Sequence, residues 1–282
     1  MAFDPVSFIP FQSKHLHASI FTVFYINLFC FQHIRATSNE TDYLALLKFK
    51  DSITDYPNEI LSSWNGSNHF YSWTGITCGH KHKGVIELNL RGYHLGGTIS
   101  PHIGNLSFLR NLSLTDNSFY GKIPPELGRL FRLKELSLGN NRLKGEIPWN
   151  LMSCTELRCL NLSMNGLTGK IPSQIGCQQL ERFAIHNNNL TGKLPASMWN
   201  LSYLPNLDIA YSHLEGSIPE ERADLKNLKI LSAVSNHFLV LFPLTLQHVI
   251  SHCHIISRKP VEYDPTSRKH VLHPPKSKIF LS

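Results

Sequence analysis

A repeat of 24 residues constrains this 282-residue chain more than any other feature of its sequence. One position, usually an asparagine, recurs at this spacing. One interval is 23 residues, and Ser212 occupies the position once in place of asparagine. Its asparagines are Asn117, Asn141, Asn165, Asn188 and Asn236. A glycine stands four residues after most of these positions, at Gly121, Gly145, Gly169, Gly192 and Gly216. A fixed period of this length predicts structural units that stack on one another and share one core.

Within each unit, every recurring residue has a physical role. Leu112 and Leu114 alternate with period two, which predicts a short strand with leucines inward and the intervening residue outward. The amide of Asn117 can bond backbone groups that the turn leaves unpaired, and Gly121 permits a tight turn. Glycine and proline at fixed places exclude a helical bundle. The pattern therefore predicts an α/β repeat solenoid with a parallel β-sheet on its concave face and a ladder of stacked asparagines.

Several segments resemble known leucine-rich-repeat proteins. The run GKIPPELGRL (121–130) resembles the plant-specific leucine-rich repeat. The segments ETDYLALLKFKDSI (40–53), LSSWN (61–65) and WTGITC (73–78) are similar to the N-terminal cap of plant leucine-rich-repeat receptor-like kinases, and SPHIGNLSFLRNLSL (100–114) is similar to a subfamily with receptors for microbial peptides. The resemblance implies a helical cap and a receptor ectodomain that binds a peptide or protein, together with a co-receptor, through its concave or lateral surface.

The sequence departs from this family at two places. The family has a cysteine that bridges to the end of the WTGITC segment, and Tyr71 stands in its place, so Cys78 lacks its expected partner. After Asn236 the repeat gives way to FLVLFPLTLQHVISHCHII. Full-length relatives are serine/threonine kinases, but this sequence has no glycine-rich phosphate loop, His-Arg-Asp motif or Asp-Phe-Gly motif. We therefore expect no enzyme activity and no cofactor.

The sequence divides into four predicted parts. Residues 1–38 are expected to form a signal peptide, because basic residues precede an apolar run, although an uncleaved anchor or a buried strand is the alternative. Residues 39–83 form the cap and residues 84–237 about seven repeats. Residues 238–282 form a basic tail without repeats, expected to be disordered; weak membrane association of its apolar part is the alternative.

Seven Asn-x-Ser/Thr sequons accompany the export signal. Together they indicate a glycoprotein of the secretory pathway, either extracellular or held at the plasma membrane as in full-length relatives. The candidate acceptors are Asn39, Asn65, Asn105, Asn111, Asn161, Asn189 and Asn200.

The strand period also predicts which side chains face outward on the concave surface. Arg182, His186, Asp208 and Tyr211 form the one mixed charged and aromatic group on adjacent coils, which makes them the candidate ligand-binding residues. The alternative is an ordinary solvated strand face. The other outward positions are Glu87, Asn89, Arg91, Asn111, Ser113, Thr115, Glu135, Ser137, Asn161, Ser163 and Asn206.

Charge and metal-ligand patterns argue against other partners. Much of the formal charge of +7 lies after residue 247, so we expect no nucleic-acid binding. His248, His252, Cys253 and His254 have no further ligands to close a site, so we expect no metal. Cys154 is expected in the apolar interior, without a bridge to Cys177.

Three functions are compatible with these features. The first is the ligand-recognition module of a receptor-like kinase. The second is a truncated receptor product without independent activity. The third is a secreted inhibitor of a wall-degrading hydrolase, a class that carries paired cysteine caps, which this sequence lacks.

Overall fold

A helical cap begins the part of the chain that the computed structural model describes, which comprises residues 38–177, 179–216, 227–238 and 254–256. Its helix α1 spans Ser38–Asp51, with Glu40 in the first turn and lysines in the last turn, as the helix dipole favours. Leu46 and Phe49 on its inner face are fully buried. Trp64 and Trp73 stack below it with ring centroids 5.2 Å apart. The cap core therefore forms from aromatic packing although Cys78 is unpaired.

The first sheet holds one short strand from each repeat. Its inner repeat strands pair in parallel at the 24-residue register, for example Leu112 with Leu136, and only the cap strand joins antiparallel. The leucines are buried and their neighbours face outward, as the alternating sequence predicts. In sheet order the strands, numbered along the chain, are β17 (His254–Ile256), β15 (Ile230–Ser232), β13 (Asn206–Asp208), β11 (Arg182–Ala184), β9 (Cys159–Asn161), β7 (Glu135–Ser137), β5 (Asn111–Ser113), β3 (Val85–Asn89) and β2 (Ile76–Cys78).

A second sheet follows the turn of each repeat, where the sequence predicts only an extended return segment. Gly145, which lies within one of these strands, has φ +80°, and a side chain there would meet Lys122 of the preceding coil. The strands are parallel except at the cap. In order they are β1 (Ile53–Asp55), β4 (Gly96–Thr98), β6 (Ser118–Gly121), β8 (Arg142–Glu146), β10 (Gly166–Gly169), β12 (Asn189–Lys193), β14 (His213–Gly216) and β16 (His237–Phe238).

Short 3₁₀ helices complete the coils. Gly128 lets two of them approach closely, because an added Cβ there would lie 2.2 Å from the carbonyl oxygen of Asn150. These helices are η1 (Pro57–Glu59), η2 (Phe70–Ser72), η3 (Pro101–Asn105), η4 (Pro125–Arg129), η5 (Trp149–Ser153), η6 (Ser173–Cys177) and η7 (Ala196–Asn200). Two sheets, the helices and the cap together define a leucine-rich-repeat solenoid.

The recurring asparagines lie between the two sheets and join neighbouring coils. Nδ2 of Asn141 donates to the carbonyl oxygen of Leu114 at 2.9 Å, and its Oδ1 accepts from the backbone N–H of Phe119 at 2.9 Å. Asn117, Asn165, Asn188 and Asn236 make equivalent bonds. Because the bonded groups belong to the preceding coil, each amide stabilises the stacking of two repeats.

The C-terminal end differs in part from the sequence-based expectation. Residues 238–282 were expected to lie outside the repeat array, but Phe238 ends β16 and His254–Ile256 form β17. This strand pairs in parallel with β15, His254 opposite Ile230, again 24 residues apart. Strand pairing needs only backbone groups, so β17 keeps the 24-residue spacing although the sequence around it lacks the asparagine and glycine of the repeat. The rest of that segment and residues 1–37 lie outside the described residues.

Candidate ligand-binding surface

The outward side chains of the first sheet form columns that run across the coils. Strand pairing places Cys159, Arg182 and Asn206 in one column, and Asn161, Ala184 and Asp208 in the next. Neighbouring members of a column are about 4.8 Å apart, the spacing of adjacent strands. This regular strip is the surface on which the sequence places its candidate residues.

His186 and Asp208 lie side by side on adjacent coils of this strip. Nδ1 of His186 is 2.9 Å from Oδ2 of Asp208, an ion pair whenever the imidazole is protonated. Both side chains are partly exposed. The other carboxylate oxygen, Oδ1, accepts a hydrogen bond from the backbone N–H of Ala210 at 3.3 Å, which fixes the carboxylate at the strand end.

Arg182 and Tyr211 flank this pair. Arg182 begins β11 and is exposed. Tyr211 is 44% exposed and has φ +50°, in the left-handed region that the residue before each ladder position adopts. Tyr211 therefore lies in the turn that follows β13, and its side chain is exposed. The structure places all four candidate residues on two neighbouring coils.

Ile230 is a residue that the sequence-based list of outward positions omits. It pairs with Asn206 in the same column as Arg182, and its side chain is 44% exposed. Its position in the Leu-x-x-Leu-x-Leu pattern was the available signal. With Ile230, the strip combines a cation, an anion, an aromatic ring and an exposed aliphatic side chain.

A separate pocket lies at the cap end of the same sheet. Its volume is about 620 Å³, and Glu87, Asn89 and Arg91 line it together with cap residues 75–77. Nε of Arg91 contacts Oδ2 of Asp116 at 3.0 Å, and Nδ2 of Asn140 donates to Oδ1 at 2.9 Å. The Asn140 hydrogen bond, with a smaller contribution from Arg91, lowers the pKa of Asp116.

The candidate glycan acceptors differ in accessibility. Asn105, Asn189 and Asn200 are exposed, and the other four are half-buried. Asn161 lies within β9, and its Oδ1 accepts hydrogen bonds from the N–H and Oγ of Ser163, at 3.1 and 2.6 Å. Asn111 lies within β5 of the same sheet. The two acceptors on the concave face are therefore less open than Asn105, Asn189 and Asn200.

The cysteines follow their positions in the repeat. Cys154 is buried and unbridged, as its register predicts, and burial raises its pKa to about 11. Cys159 is half-buried on the concave strip, and burial raises its pKa as well.

Among the residues that the structure describes, none of the helices has the length and apolar character that a membrane span requires. The same residues contain no group of three or more metal-ligating side chains.

Comparison with known proteins agrees with this architecture. The family described as "Leucine rich repeat N-terminal domain" matches residues 39–79. The family described as "Leucine Rich Repeat" matches residues 108–130, 132–154, 156–177 and 179–201. Residues 39–201 therefore carry the N-terminal cap and the repeats of the leucine-rich-repeat family, and similar proteins include plant leucine-rich-repeat receptor-like kinases.

Similar proteins are much longer than the region they share with this chain. The LRR receptor-like serine/threonine-protein kinase EFR of Arabidopsis thaliana is 57% identical over 83 residues, 29% of this chain and 8% of the receptor. The ectodomain of the A. thaliana receptor kinase GASSHO1/SCHENGEN3, solved with CASPARIAN STRIP INTEGRITY FACTOR 2, has a TM-score of 0.73 at 33% identity, covering 77% of this chain and 26% of that one.

A third similar protein was solved with two partners. The Arabidopsis receptor kinase HAESA, in complex with the peptide hormone IDA and the co-receptor SERK1, has a TM-score of 0.63 at 26% identity. The match covers 77% of this chain and 41% of HAESA. Both of these solved neighbours are plant receptor kinases whose structures include a bound partner.

Proposed function

We propose that this chain is an extracellular module that binds a peptide or protein ligand on its concave strip, with Arg182, His186, Asp208 and Tyr211 as the principal contacts. The guanidinium donates to carboxylates and backbone carbonyls of the ligand. The Asp208 carboxylate accepts hydrogen bonds from N–H or ammonium groups of the ligand. The Tyr211 ring covers an apolar side chain, and its hydroxyl can hydrogen-bond to the ligand.

The His186–Asp208 contact is the observation that carries this proposal. It joins two adjacent coils in the outward columns, where most other members are small and uncharged. A ligand that lies across the strands would meet this pair together with Arg182 and Tyr211. Ile230 extends the same strip by one coil and gives the ligand an apolar contact.

A co-receptor is the second proposed partner. The solved complex of HAESA contains a peptide hormone and a co-receptor, and this chain shares its fold. In this proposal the peptide and the lateral edge of the solenoid form a composite surface for the co-receptor. Kinase activity belongs to full-length relatives and not to the repeats described here.

The two other functions make different predictions. If the chain were a truncated product without activity, selection from a peptide library would yield no peptide that binds the concave strip. An inhibitor of a wall-degrading hydrolase would block a purified polygalacturonase in a reducing-sugar assay, and it would do so without a peptide. We favour the receptor module because the mixed charged and aromatic cluster lies on the concave strip itself.

Selection from a displayed random-peptide library tests the proposal. The full chain is the target, and a variant with Arg182→Ala, His186→Ala, Asp208→Ala and Tyr211→Ala is the counter-target. The matched control carries Lys122→Ala, Lys144→Ala, Lys170→Ala and Lys193→Ala, four exposed side chains that lie within or directly after strands of the second sheet.

We expect enriched peptides to bind the wild type and the control equally and the concave variant at least about tenfold more weakly, a loss of about 1.4 kcal/mol. Circular dichroism must show that all three proteins are folded. Peptides that bind the concave variant as tightly as the wild type, or the absence of any enriched peptide, would contradict the proposal.

A further inference from the structure

A polar cleft lies between two 3₁₀ helices, away from the concave strip. Its volume is about 350 Å³. It is lined by Pro125, Glu126, Gly128 and Arg129 of η4 and by Asn150 and Ser153 of η5. In the part of the chain that the structure describes, the side chains of Glu126, Arg129, Asn150 and Ser153 make no hydrogen bond to protein. Their donors and acceptors are therefore free to bond a ligand.

Trp149 is the residue of η5 directly before Asn150, which lines the cleft. It occupies the position that Pro125, another lining residue, occupies one coil earlier. It is 62% exposed, whereas Trp64, Trp73 and Trp199 are buried. The equivalent positions in the following coils are Ser173 and Ala196, so Trp149 is not a repeat of the structural pattern. An exposed indole offers a flat apolar face together with an N–H donor, the two features that contact a bound partner.

We propose that the cleft and Trp149 together bind carbohydrate. The flat ring of Trp149 packs against the C–H face of a sugar, while the carboxylate, guanidinium, amide and hydroxyl groups bond its hydroxyls. The cleft carries one anion and one cation, Glu126 and Arg129, and so favours a neutral sugar. A protein partner would need apolar side chains around Trp149, but most of the residues that line the cleft are polar.

One source of such a sugar is the chain itself. Asn105 ends η3 as Arg129 ends η4 and Ser153 ends η5, so a glycan on Asn105 would begin one coil before the cleft. Asn105 is exposed, and its sequon is intact. The second source is a free oligosaccharide of the cell surface. Both present the same hydroxyl-rich chemistry to the cleft.

Quenching of tryptophan fluorescence by acrylamide measures this site selectively, since Trp149 is the one exposed tryptophan among the four in the sequence. The full chain is made in a eukaryotic secretory host, and mass spectrometry determines the occupancy of Asn105. Quenching is compared between the wild type and Asn105→Gln, with Asn200→Gln as the control at the same helix position of a distant coil. N,N′-diacetylchitobiose and cellohexaose are then added to Asn105→Gln.

If the chain's own glycan fills the cleft, Asn105→Gln increases quenching and an added oligosaccharide reverses the increase. If the ligand is free, Asn105→Gln has no effect and an oligosaccharide still protects Trp149, with a dissociation constant on the order of 1 mM for so open a site. In both cases Asn200→Gln has no effect. The double variant Glu126→Ala, Asn150→Ala, which keeps Trp149, binds at least about tenfold more weakly.

The proposal is overturned if Asn105→Gln changes nothing and neither oligosaccharide protects Trp149 at about 10 mM. Protection that persists unchanged in the double variant also overturns it, because the polar groups of the cleft would then have no part in binding. A protein ligand that requires Trp149 while both sugars fail would replace carbohydrate as the occupant. None of these outcomes depends on peptide binding at the concave strip.

Discussion

Ser212 and Asn236 occupy equivalent positions of adjacent coils, but only Asn236 bridges to the coil before it. Its Nδ2 donates to the carbonyl oxygen of Ile209 at 2.8 Å, and its Oδ1 accepts from the N–H of Leu214 at 3.1 Å. Oγ of Ser212 is buried and has no hydrogen-bond partner among the described residues. The ladder is therefore interrupted at one coil, next to the candidate residue Tyr211.

Replacing Ser212 by asparagine should stabilise the chain. The longer amide would reach the preceding coil as Asn236 does, and it would remove a buried hydroxyl that lacks a partner. We expect the free energy of unfolding to rise by about 1 kcal/mol. Chemical denaturation monitored by circular dichroism measures this change.

The reverse substitution is the matched control. Asn236→Ser removes the bonds to Ile209 and Leu214 and should lower the free energy of unfolding by about 1 to 3 kcal/mol. If Ser212→Asn destabilised the chain to the same extent as Asn236→Ser, the space at Ser212 would be unsuited to an amide. An unchanged free energy of unfolding in Asn236→Ser would contradict a stabilising role of the ladder.

Asp42 should make the cap less stable as pH rises. It is buried, its Oδ2 accepts from the N–H of Val85 at 2.8 Å, and its Oδ1 has no partner among the described residues. Burial raises its pKa from 3.8 to about 6. Between these values the folded chain binds more protons than the unfolded chain, so the free energy of unfolding falls as pH rises from about 4 to about 6, by up to about 3 kcal/mol.

The variant Asp42→Asn isolates this effect, since an amide does not titrate. Unfolding free energies of both proteins at pH 4 and pH 7 give the comparison. The decrease from pH 4 to pH 7 should be larger in the wild type than in the variant by about 2 to 3 kcal/mol. An equal decrease in the two proteins would show that Asp42 does not titrate in this window.

Gly128→Ala tests the close approach of η4 and η5. The added Cβ would lie 2.2 Å from the carbonyl oxygen of Asn150, so the coils would have to separate. We expect a loss of about 1 to 3 kcal/mol. Gly66→Ala is the control, because its Cβ would meet only the hydroxyl of Tyr43 at 3.9 Å. Similar melting temperatures for the two variants would contradict the tight packing seen here.

Tyr71→Cys should restore the bridge that the family resemblance assigns to Cys78. Cys78 is free and half-buried, and Tyr71 is exposed near it in the cap. A bridge that closes so short a loop stabilises by about 2.5 kcal/mol in the chain-entropy account. Thiol titration and intact mass measure bridge formation, and Tyr71→Ser is the control. Two free thiols at positions 71 and 78 after oxidative refolding would refute the assignment.

The repeat register explains why the fold was predictable and the second sheet was not. Leucine alternation at Leu112 and Leu114 predicts strands of the first sheet, and the fixed glycine predicts the turn. The second sheet has no comparable alternation, since strands such as Gly166–Gly169 contain two glycines. Its pairing follows from the stacking of coils, a long-range effect that local patterns do not encode. Strand β17 was missed for the same reason.

The candidate site was predictable only in part. Outward positions follow from the strand period, so Arg182, His186 and Asp208 could be assigned to one surface. The 2.9 Å contact between His186 and Asp208 depends on side-chain conformation, which no periodicity specifies. Trp149 and its cleft arise from irregular 3₁₀ helices, where residues vary between repeats. The residues of both proposed sites are therefore local deviations from the repeat.

Photo-crosslinking tests the central claim, ligand recognition on the concave strip, most directly. A peptide selected on the full chain would carry p-benzoylphenylalanine at successive positions, and mass spectrometry would locate each crosslink. We expect the crosslinks to fall within residues 182–186 and 206–211, with competition by the unlabelled peptide. Crosslinks that fall instead on the second sheet or on the 3₁₀ helices would contradict the account.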